Sequence, residues 1–344
     1  MTSVPRRVDV VVVGGGIAGA STVHHLTRCG VDVLLLERGL VGGGATGAAV
    51  GVLSPPLRQP FHETVHHRGL ETARAIWAFA ERSVRGLGRA LEELEAVEEA
   101  GLDLSGGHVL AEAHSEHETR DAFEALERAG FAVRWMEAKE VREKCGGRGF
   151  TGGYRIGGGG GLNPGPAARA LIRGAMNAGA VVVEGATLED VERHEGDLRC
   201  LTDKGDVSCE MIVYAAHVDS RRFWPLLDRE IVPIRGQAMA ADLPAGLGCP
   251  GSWSTHWKLN VWRRGPGNLL VLGGWRHDAW DRAYRRTRPE VDPLLQADLQ
   301  QWYEASFPGT SPLRVRDRWS GIFGWTADYL PLVGALPGTT RELV

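Results

Sequence analysis

The sequence predicts an α/β protein in which a sheet of parallel strands and helices is interleaved with a second domain built on a mainly antiparallel sheet. Three observations predict this fold. A largely apolar run at residues 8–13 leads directly into a glycine-rich turn and a helix-compatible segment. A second apolar run, at residues 33–36, ends on a carboxylate, as the next strand of such a unit does. Later segments with strand and helix patterns occur in mixed order, which is typical of an α+β domain.

The composition is that of an ordinary globular chain. The 344 residues carry a formal net charge of −4, with 43% apolar and 24% charged residues, which is enough for two domains with a core. Basic residues never run longer than two, so nucleic acid is not an expected partner. The apolar run after Arg6 and Arg7 is too short for a signal peptide, and no 18-residue apolar window occurs, so we expect no membrane span and a cytoplasmic location.

The cysteines and histidines do not suggest a metal site. The five cysteines include no CxxC pair, which argues against a metal centre or a disulfide scaffold. Cys200 and Cys209 flank a turn symmetrically, so they could face each other across a hairpin, as thiols in a reducing compartment. His62 and His66 have the i, i+4 spacing of a metal-binding pair, but a third ligand at a supporting spacing is missing.

The glycine-rich turn has the spacing GxGxxG at Gly14, Gly16 and Gly19. The first glycine allows the tight turn off the strand, the second lets backbone N–H groups approach a pyrophosphate, and the third lets the helix pack closely on the sheet. The helix, predicted from Ile17 to about Cys29, directs its positive N-terminus at the phosphates. In this context the motif predicts a Rossmann-type dinucleotide site rather than a merely tight loop.

Glu37 ends the second strand of this unit. A carboxylate at this place accepts hydrogen bonds from both hydroxyls of an adenosine ribose, and it repels a 2′-phosphate. NADP is therefore disfavoured.

A second loop of small residues, 42–53, follows at once, where a plain NAD-binding domain would continue to its next helix. With this loop the sequence resembles the D-amino-acid oxidase superfamily of FAD enzymes, which includes glycine oxidase and sarcosine oxidase. The resemblance implies that the loop wraps the pyrophosphate and ribityl chain of a non-covalent FAD; a flexible linker is the alternative. The FAD-binding residues that the motif and the resemblance imply are Gly14, Gly15, Gly16, Ile17, Ala18, Gly19, Glu37, Arg38, Gly44, Ala45, Thr46, Gly51, Val52, Leu188 and Ala216.

The middle of the chain predicts the first part of a substrate domain. Residues 70–94 have one apolar helical face, which indicates a core-packing helix. The patterns that follow predict, in order, a strand at 107–113, a helix at 116–129, a strand at 131–136 and a short helix at 137–144.

The chain then returns to the nucleotide-binding domain. We expect a helix at 166–178, strands at 180–183 and 187–191, and a hairpin leading into a strand at 212–216 that resembles the family's Ala-Ala-Gly strand. Two residues depart from the family pattern there, because His217 replaces the usual glycine and Asp219 the usual tryptophan. His217 is either structural, which we favour, or lies beside the pyrophosphate.

A predicted hairpin in the second domain indicates where the substrate binds. Residues 257–264 and 269–275 read as paired strands, and side chains alternate across a sheet, so Asn260 and Trp262 share one face. The resemblance implies that this face covers the flavin and holds substrate. The candidate pocket residues are His256, Asn260, Trp262, Trp275 and Phe323, although tryptophan is more often a core residue.

After a helix at 293–307, residues 318–334 resemble the closing signature of the family. Glycine-oxidase-type enzymes carry an arginine there that clamps the substrate carboxylate, whereas residues 321–324 contain none. An amine, or a substrate whose acid group is held by Arg263 or Arg276, fits better than a simple D-amino acid. Relatives continue past the equivalent of Val344 with flavin-contacting elements, so either the chain is shortened or the site is completed differently.

Two further positions bear on the flavin chemistry that the resemblance implies. Ala48 stands where some relatives carry a linking histidine, which favours non-covalent FAD. The lysine that promotes reaction with oxygen in sarcosine-oxidase relatives would fall near Val271, which favours an oxidase less strongly than the motifs favour flavin binding. The expected electron acceptor is oxygen or another compound.

The sequence as a whole predicts an FAD-dependent oxidoreductase that oxidises a C–N bond of an amine or amino acid by hydride transfer to flavin N5, with imine hydrolysis. The alternatives are an FAD-dependent dehydrogenase of a hydroxy acid or polyol, and a flavin-binding remnant without turnover. The predicted FAD-binding domain comprises residues 1–60, 160–225 and 310–344, and the substrate domain residues 61–159 and 226–309.

Overall fold

The computed structural model describes residues 3–54, 59–255, 260–274, 280–307 and 312–344. In chain order its strands are β1 (Arg7–Val13), β2 (Val33–Glu37), β3 (Val52–Leu53), β4 (Gly107–Ala111), β5 (Val133–Glu137), β6 (Gly152–Ile156), β7 (Gly160–Gly161), β8 (Val181–Glu184), β9 (Leu188–His194), β10 (Asp197–Thr202), β11 (Val207–Tyr214), β12 (Val232–Asp242), β13 (Ser252–Thr255), β14 (Asn260–Gly265), β15 (Leu269–Gly274), β16 (Val315–Trp325) and β17 (Glu342–Leu343).

The α-helices connect and cover these strands. They are α1 (Ile17–Arg28), α2 (Ala45–Ala48), α3 (Phe61–Arg68), α4 (Leu70–Glu93), α5 (Glu116–Arg128), α6 (Ala138–Cys145), α7 (Pro164–Asn177), α8 (Leu227–Glu230), α9 (Trp280–Ala283) and α10 (Pro293–Ser306). A short 3-10 helix, His217–Arg222, follows β11. Among the described residues, no helix combines the length and apolar character needed to cross a bilayer.

The first sheet is built around β1. Its strand order is β8-β2-β1-β11-β10-β9, with β17 beside β11. The strands β1, β2, β8, β11 and β17 run parallel, and β9 and β10 are antiparallel additions. Parallel strands are covered on both faces, so β1 and β2 are largely buried. On one face Val12 and Leu35 pack with Leu171 of α7, and on the other Val11 and Leu36 pack into a separate core.

The second sheet is mainly antiparallel, in the order β16-β12-β15-β14-β13-β4-β6-β5. One face carries the core formed with α10, in which Met239, Trp253 and Trp262 pack with Tyr303 and Phe307. The architecture confirms the predicted fold class, because a parallel and a mainly antiparallel sheet are interleaved along one chain.

Most predicted elements are present with slightly different bounds. The predicted helices at 17–29, 116–129 and 293–307 correspond to α1, α5 and α10, and the predicted hairpin corresponds to β14 and β15. The predicted division of the chain into domains stays a prediction, but β16, which it places in the FAD-binding domain, belongs to the second sheet. The cause is its long antiparallel pairing with β12.

Cys200 and Cys209 lie across the predicted hairpin. Their Sγ atoms are 4.0 Å apart, and both residues are free, buried cysteines. The expected arrangement of two facing thiols is therefore present.

Candidate active site

The turn after β1 requires each of its motif glycines for a different reason. Gly14 has a φ of +107°, and a Cβ added there would lie 2.6 Å from the Ala215 carbonyl oxygen. A Cβ on Gly19 would lie 1.9 Å from the Gly14 carbonyl oxygen, so only glycine lets α1 approach the strand so closely. A Cβ on Gly16 would meet only the Thr46 hydroxyl, at 3.1 Å. Gly16 therefore leaves open the space that the motif predicts for the pyrophosphate.

Two side chains tie the turn to its surroundings. The Glu37 carboxylate accepts hydrogen bonds from the backbone N–H of Gly15 at 2.6 Å and of Gly39 at 2.7 Å. The Thr46 hydroxyl accepts one from the N–H of Ile17 at 2.9 Å. The second small-residue loop therefore reaches the N-terminus of α1, where backbone N–H groups favour an anion.

A cavity of about 1470 Å³ opens from this turn to the second sheet. Its walls are the two glycine-rich loops, the end of β11 with the following 3-10 helix, the later part of β16, and residues 329–334. The predicted cofactor residues that line it are Gly14, Gly16, Ile17, Ala18, Glu37, Arg38, Gly44, Ala45, Thr46, Leu188 and Ala216. Their assignment to FAD remains a prediction, but the open cradle at Gly16 and the donor groups of α1 suit a dinucleotide diphosphate.

The remaining predicted cofactor residues have structural contacts. Gly15 donates to Glu37, and Gly19 packs under the turn. Gly51 has a φ of +86°, and a Cβ there would collide with the Leu162 carbonyl oxygen at 2.0 Å. Val52 begins β3, which pairs with β7. Gly51 and Val52 therefore form the junction between the second loop and β7.

Arg263, a candidate for holding a substrate acid group, lies at the same junction. Its Nε donates to the Val50 carbonyl oxygen at 2.5 Å, and its Nη1 donates to the Arg264 carbonyl oxygen at 2.9 Å. Burial of the guanidinium lowers the pKa of Arg263 to about 10. In this structure Arg263 fastens the second loop to β14. The other candidate, Arg276, lies outside the described residues.

The two residues that depart from the family pattern span the cavity. His217 has a φ of +56°, in the left-handed region where glycine is usual, and its Nε2 accepts a hydrogen bond from the Gly324 N–H at 2.9 Å. Asp219 pairs with Arg38 at 2.7 Å. The 3-10 helix that carries them is therefore linked both to the dinucleotide loops and to β16.

The prediction that Trp262 lines the pocket is corrected by the structure. Trp262 is fully buried, with Trp253 and Phe307 around it, on the face of the second sheet that α10 covers. The alternation of β14 was predicted correctly, but its two faces were assigned to the wrong layers, because it is Arg263, on the other face of the strand, that reaches the second loop. Asn260 is buried, and it lies on the same face of β14 as Trp262. His256 and Trp275 lie outside the described residues.

Phe323, a candidate pocket residue, is among the residues that line the cavity, and its contact with substrate stays a prediction. Along β16, alternate residues face the dinucleotide loops. The indole N–H of Trp319 donates to the Ala48 carbonyl oxygen at 2.9 Å, and a Cβ on Gly321 would lie 2.8 Å from the Ala48 Cβ. Phe323 and Trp325 continue the same face of the strand.

We call Phe323, Trp325 and Tyr329 the aromatic wall, because all three rings belong to residues that line the cavity. The sequence analysis missed Trp325 and Tyr329. The period-2 alternation of Trp319, Phe323 and Trp325 along β16 is the signal that points to Trp325, whereas Tyr329 lies beyond the strand and has no such signal.

The site has no metal-binding arrangement in the part of the chain that the structure describes: no group of three or more His, Cys, Asp or Glu side chains is placed to hold an ion.

A glycine-rich dinucleotide cradle that faces an antiparallel sheet across one cavity is typical of the class of dinucleotide-dependent oxidoreductases. The comparison with protein families makes the assignment specific: the family described as FAD dependent oxidoreductase (DAO) matches residues 9–344. The chain belongs to this family. FAD is therefore its cofactor, and the protein is an FAD-dependent oxidoreductase.

Individual relatives are similar over nearly the whole chain. Glycine oxidase of Bacillus licheniformis is 26% identical over 344 residues, which cover 98% of this chain and 87% of that protein. Gamma-glutamylputrescine oxidoreductase of Escherichia coli (strain K12) is 24% identical over 346 residues, covering 95% and 76%. The crystal structure of glycine oxidase from Geobacillus kaustophilus superposes with a TM-score of 0.78 at 22% identity, covering 98% of this chain and 88% of that one. The latter comparison supports the fold.

Proposed function

We propose that this protein oxidises a C–N bond of an amine or amino acid, with FAD held non-covalently. The observation that carries the proposal is that one and the same cavity has the dinucleotide loops on one side and the face of β16 on the other. Such a cavity brings a reactant on the second sheet against a cofactor on the first. The names of the two relatives above, a glycine oxidase and a gamma-glutamylputrescine oxidoreductase, support an amino-containing substrate.

The residues of this chain would hold the cofactor along the cavity. Glu37 would bind the adenosine ribose, and the N–H groups at the start of α1 would bind the pyrophosphate. Thr46 would hold the second loop at the start of α1. Ala48 offers no nucleophile for a covalent link. When bound, the flavin would supply an electrophilic N5 able to accept a hydride from the carbon beside nitrogen; the imine product would hydrolyse in water, and the two electrons would pass on to oxygen or another acceptor.

The protein itself supplies position and exclusion of water. The 3-10 helix closes part of the cavity. Its position is fixed by the ion pair between Asp219 and Arg38 and by the hydrogen bond from the Gly324 N–H to His217. Alternate residues of β16 present rings and a glycine toward the cavity, so the second sheet offers a surface against which a substrate carbon could be oriented.

The experiment is a visible spectrum of the purified protein, followed by anaerobic addition of amines, amino acids, hydroxy acids and polyols. We expect a flavin spectrum that a C–N compound bleaches, with release of ammonia or an amine. Bleaching by a hydroxy acid or polyol alone would establish the dehydrogenase alternative instead. A bound flavin that none of these compounds bleaches would indicate a protein without turnover.

A further inference from the structure

We propose that His217 donates a hydrogen bond to the diphosphate of FAD, a contact that this chain adds at a position where the family pattern has glycine. The inference rests on FAD as the cofactor and does not require that the substrate is an amine or amino acid. Three features support it: the tautomer of the imidazole ring, its place in the cavity, and the conformation of its backbone.

The hydrogen bond from β16 fixes the tautomer of His217. A backbone N–H can only donate, so the Nε2 atom that accepts the Gly324 N–H at 2.9 Å carries no proton. The protein atoms around the ring lower the pKa of His217 by desolvation, which Asp219 opposes only in part, and the imidazole is neutral at neutral pH. The one proton of a neutral imidazole then lies on Nδ1. His217 therefore presents a hydrogen-bond donor, which glycine at this position would lack.

The Nδ1–H group has no acceptor within the described part of the chain. The bond at Nε2 is the hydrogen bond of this ring, and His217 is an exposed residue that lines the cavity. Because Nε2 is anchored to β16, the ring is already oriented before a ligand binds, and little conformational entropy is lost on binding. An acceptor that a ligand brings into the cavity would complete the hydrogen bonds of the ring.

The place of His217 in the fold indicates the diphosphate as that acceptor. The two residues before it pack on the first motif glycine: a Cβ on Gly14 would lie 2.6 Å from the Ala215 carbonyl oxygen and 3.1 Å from the Ala216 Cα. The strands β1 and β11 are parallel neighbours, so their carboxyl ends, where such folds bind dinucleotides, lie side by side. The ring extends from there to Gly324. It therefore lies between the turn predicted to hold the diphosphate and the sheet that forms the opposite wall.

A phosphate oxygen also suits this donor chemically. Hydrogen bonds to an anionic oxygen are shorter and stronger than those between neutral groups. The cavity-lining residues Arg38 and Arg221 are already paired, with Asp219 and Asp228 respectively. His217 adds a neutral side-chain donor at the end of β11 to the backbone donors at the start of α1.

The backbone of His217 is consistent with a role in binding. Its φ of +56° lies in the left-handed region, which costs energy for a residue other than glycine, although histidine occurs there more often than most. Residues held in such conformations cluster at ligand-binding sites. Glycine would adopt this φ without cost, so the histidine side chain must offset the difference. The bonds at Nε2 and Nδ1 provide that offset when FAD is bound.

The test measures the Kd for FAD from the flavin that the full-length, FAD-loaded protein releases on serial dilution. His217→Gly restores the residue of the family pattern, relieves the backbone and removes the donor. We expect its Kd to rise about tenfold, because a hydrogen bond to a charged group is lost.

Two further variants accompany this measurement. His217→Asn tolerates the left-handed backbone, but its side chain is too short to bridge Gly324 and the ligand, so we expect a rise of similar size. It provides a second measurement if His217→Gly does not fold. Glu95→Gly is the matched control, since Glu95 has a φ of +53°, is exposed and is not among the residues that line the cavity. This variant relieves the same kind of backbone and should leave the Kd unchanged.

NMR of the FAD-loaded protein separates a contact with the ligand from a purely structural role. With isotope-labelled histidine, we expect His217 to be protonated at Nδ1 and this N–H to correlate with a phosphorus atom of FAD through the hydrogen bond. The phosphorus signals of the diphosphate should shift in His217→Gly and stay in place in Glu95→Gly.

The outcomes distinguish this inference from the proposed function. Unchanged FAD affinity in both His217 variants, or a ring protonated at Nε2 instead of Nδ1, would overturn the inference. Weaker binding with unchanged phosphorus signals and no correlation would also overturn it, because His217 would then only brace the 3-10 helix against β16. Failure of every C–N compound to bleach the flavin would remove the proposed function and leave the contact between His217 and FAD standing.

Discussion

At the scale of single residues, the glycines were predictable and the tryptophans were not. Glycine is needed at Gly14, Gly16 and Gly19 because other groups of the same strand-turn-helix unit, or its ligand, come close to their backbone. The spacing of the three glycines in the sequence is enough to predict this. The burial of Trp262 depends on which layer covers each face of β14, which is decided by α10 far along the chain. Periodicity shows that two faces exist, but it does not show which one meets the cavity.

Gly16→Val should abolish FAD retention. The added side chain would enter the space beside Thr46 that the pyrophosphate is predicted to occupy, while the neighbouring backbone stays unchanged. The ratio of flavin to protein after purification measures the effect, and we expect a fall of about tenfold or more. Gly86→Val is the matched control, since a Cβ on Gly86 meets nothing within 4 Å. Undiminished flavin in Gly16→Val would contradict the placement of the pyrophosphate.

His108 should make the protein sensitive to acid. It is 3% exposed, stacks on Trp253 at 3.9 Å, and donates from Nδ1 to the Ser252 carbonyl oxygen at 3.0 Å. Burial lowers the pKa of His108 to about 4 in the folded protein, against 6.5 for an exposed imidazole. The unfolded chain therefore binds the extra proton first, and stability falls as the pH drops from 6.5 toward 4.

The expected loss over this window is about 3 kcal/mol of unfolding free energy. Chemical denaturation at several pH values measures it, and His108→Gln should flatten the dependence that is due to this residue. His117→Gln changes a side chain that is 93% exposed and should leave the profile as it is. Parallel profiles for the native protein and His108→Gln would rule the assignment out.

At the scale of elements, local patterns predicted β1, α1 and β2 because the apolar runs, the turn glycines and the helix end lie within one short stretch. The hairpin of β14 and β15 was predictable for the same reason, since its strands flank a Gly-Pro-Gly turn. The sheet membership of β16 was not, because its partner β12 is distant in sequence. The role of β17 was also missed: two residues give no periodicity, and only pairing with β11 defines it.

Glu342 anchors β17 to the first sheet. Its carboxylate is 1% exposed and binds Arg193 through two hydrogen bonds, at 2.7 and 2.9 Å, while the Tyr214 hydroxyl donates to it at 2.6 Å. Glu342→Ala leaves the Tyr214 hydroxyl and the Arg193 guanidinium without their acceptor, and we expect a loss of about 3 kcal/mol in urea unfolding. Glu143→Ala, at a carboxylate 66% exposed, should cost less than about 0.5 kcal/mol. Equal losses in the two variants would show that Glu342 is not an anchor.

At the scale of the whole molecule, the two sheets meet through the loops that are predicted to hold FAD. Trp319 of β16 donates to Ala48, and Arg263 of β14 donates to Val50, so both contacts join the second sheet to the second loop. The 3-10 helix adds the bond between His217 and Gly324. A cofactor that orders the loops therefore also strengthens the junction between the sheets.

Removal of FAD should lower the thermal stability of the whole molecule. A ligand present at 100 times its Kd adds about 2.7 kcal/mol to folding, and each kcal/mol shifts the Tm of a chain of this size by about 2 °C or more. We expect the flavin-free protein to melt roughly 5 °C lower, in one transition if both sheets depend on the loops. Calorimetry before and after flavin removal measures the change, and FAD should restore the original Tm. FMN, which lacks the adenosine predicted for Glu37, should restore much less, as should NAD, which lacks the isoalloxazine. If FMN or NAD restored the Tm as fully as FAD, the cavity would not be a site that recognises both ends of FAD.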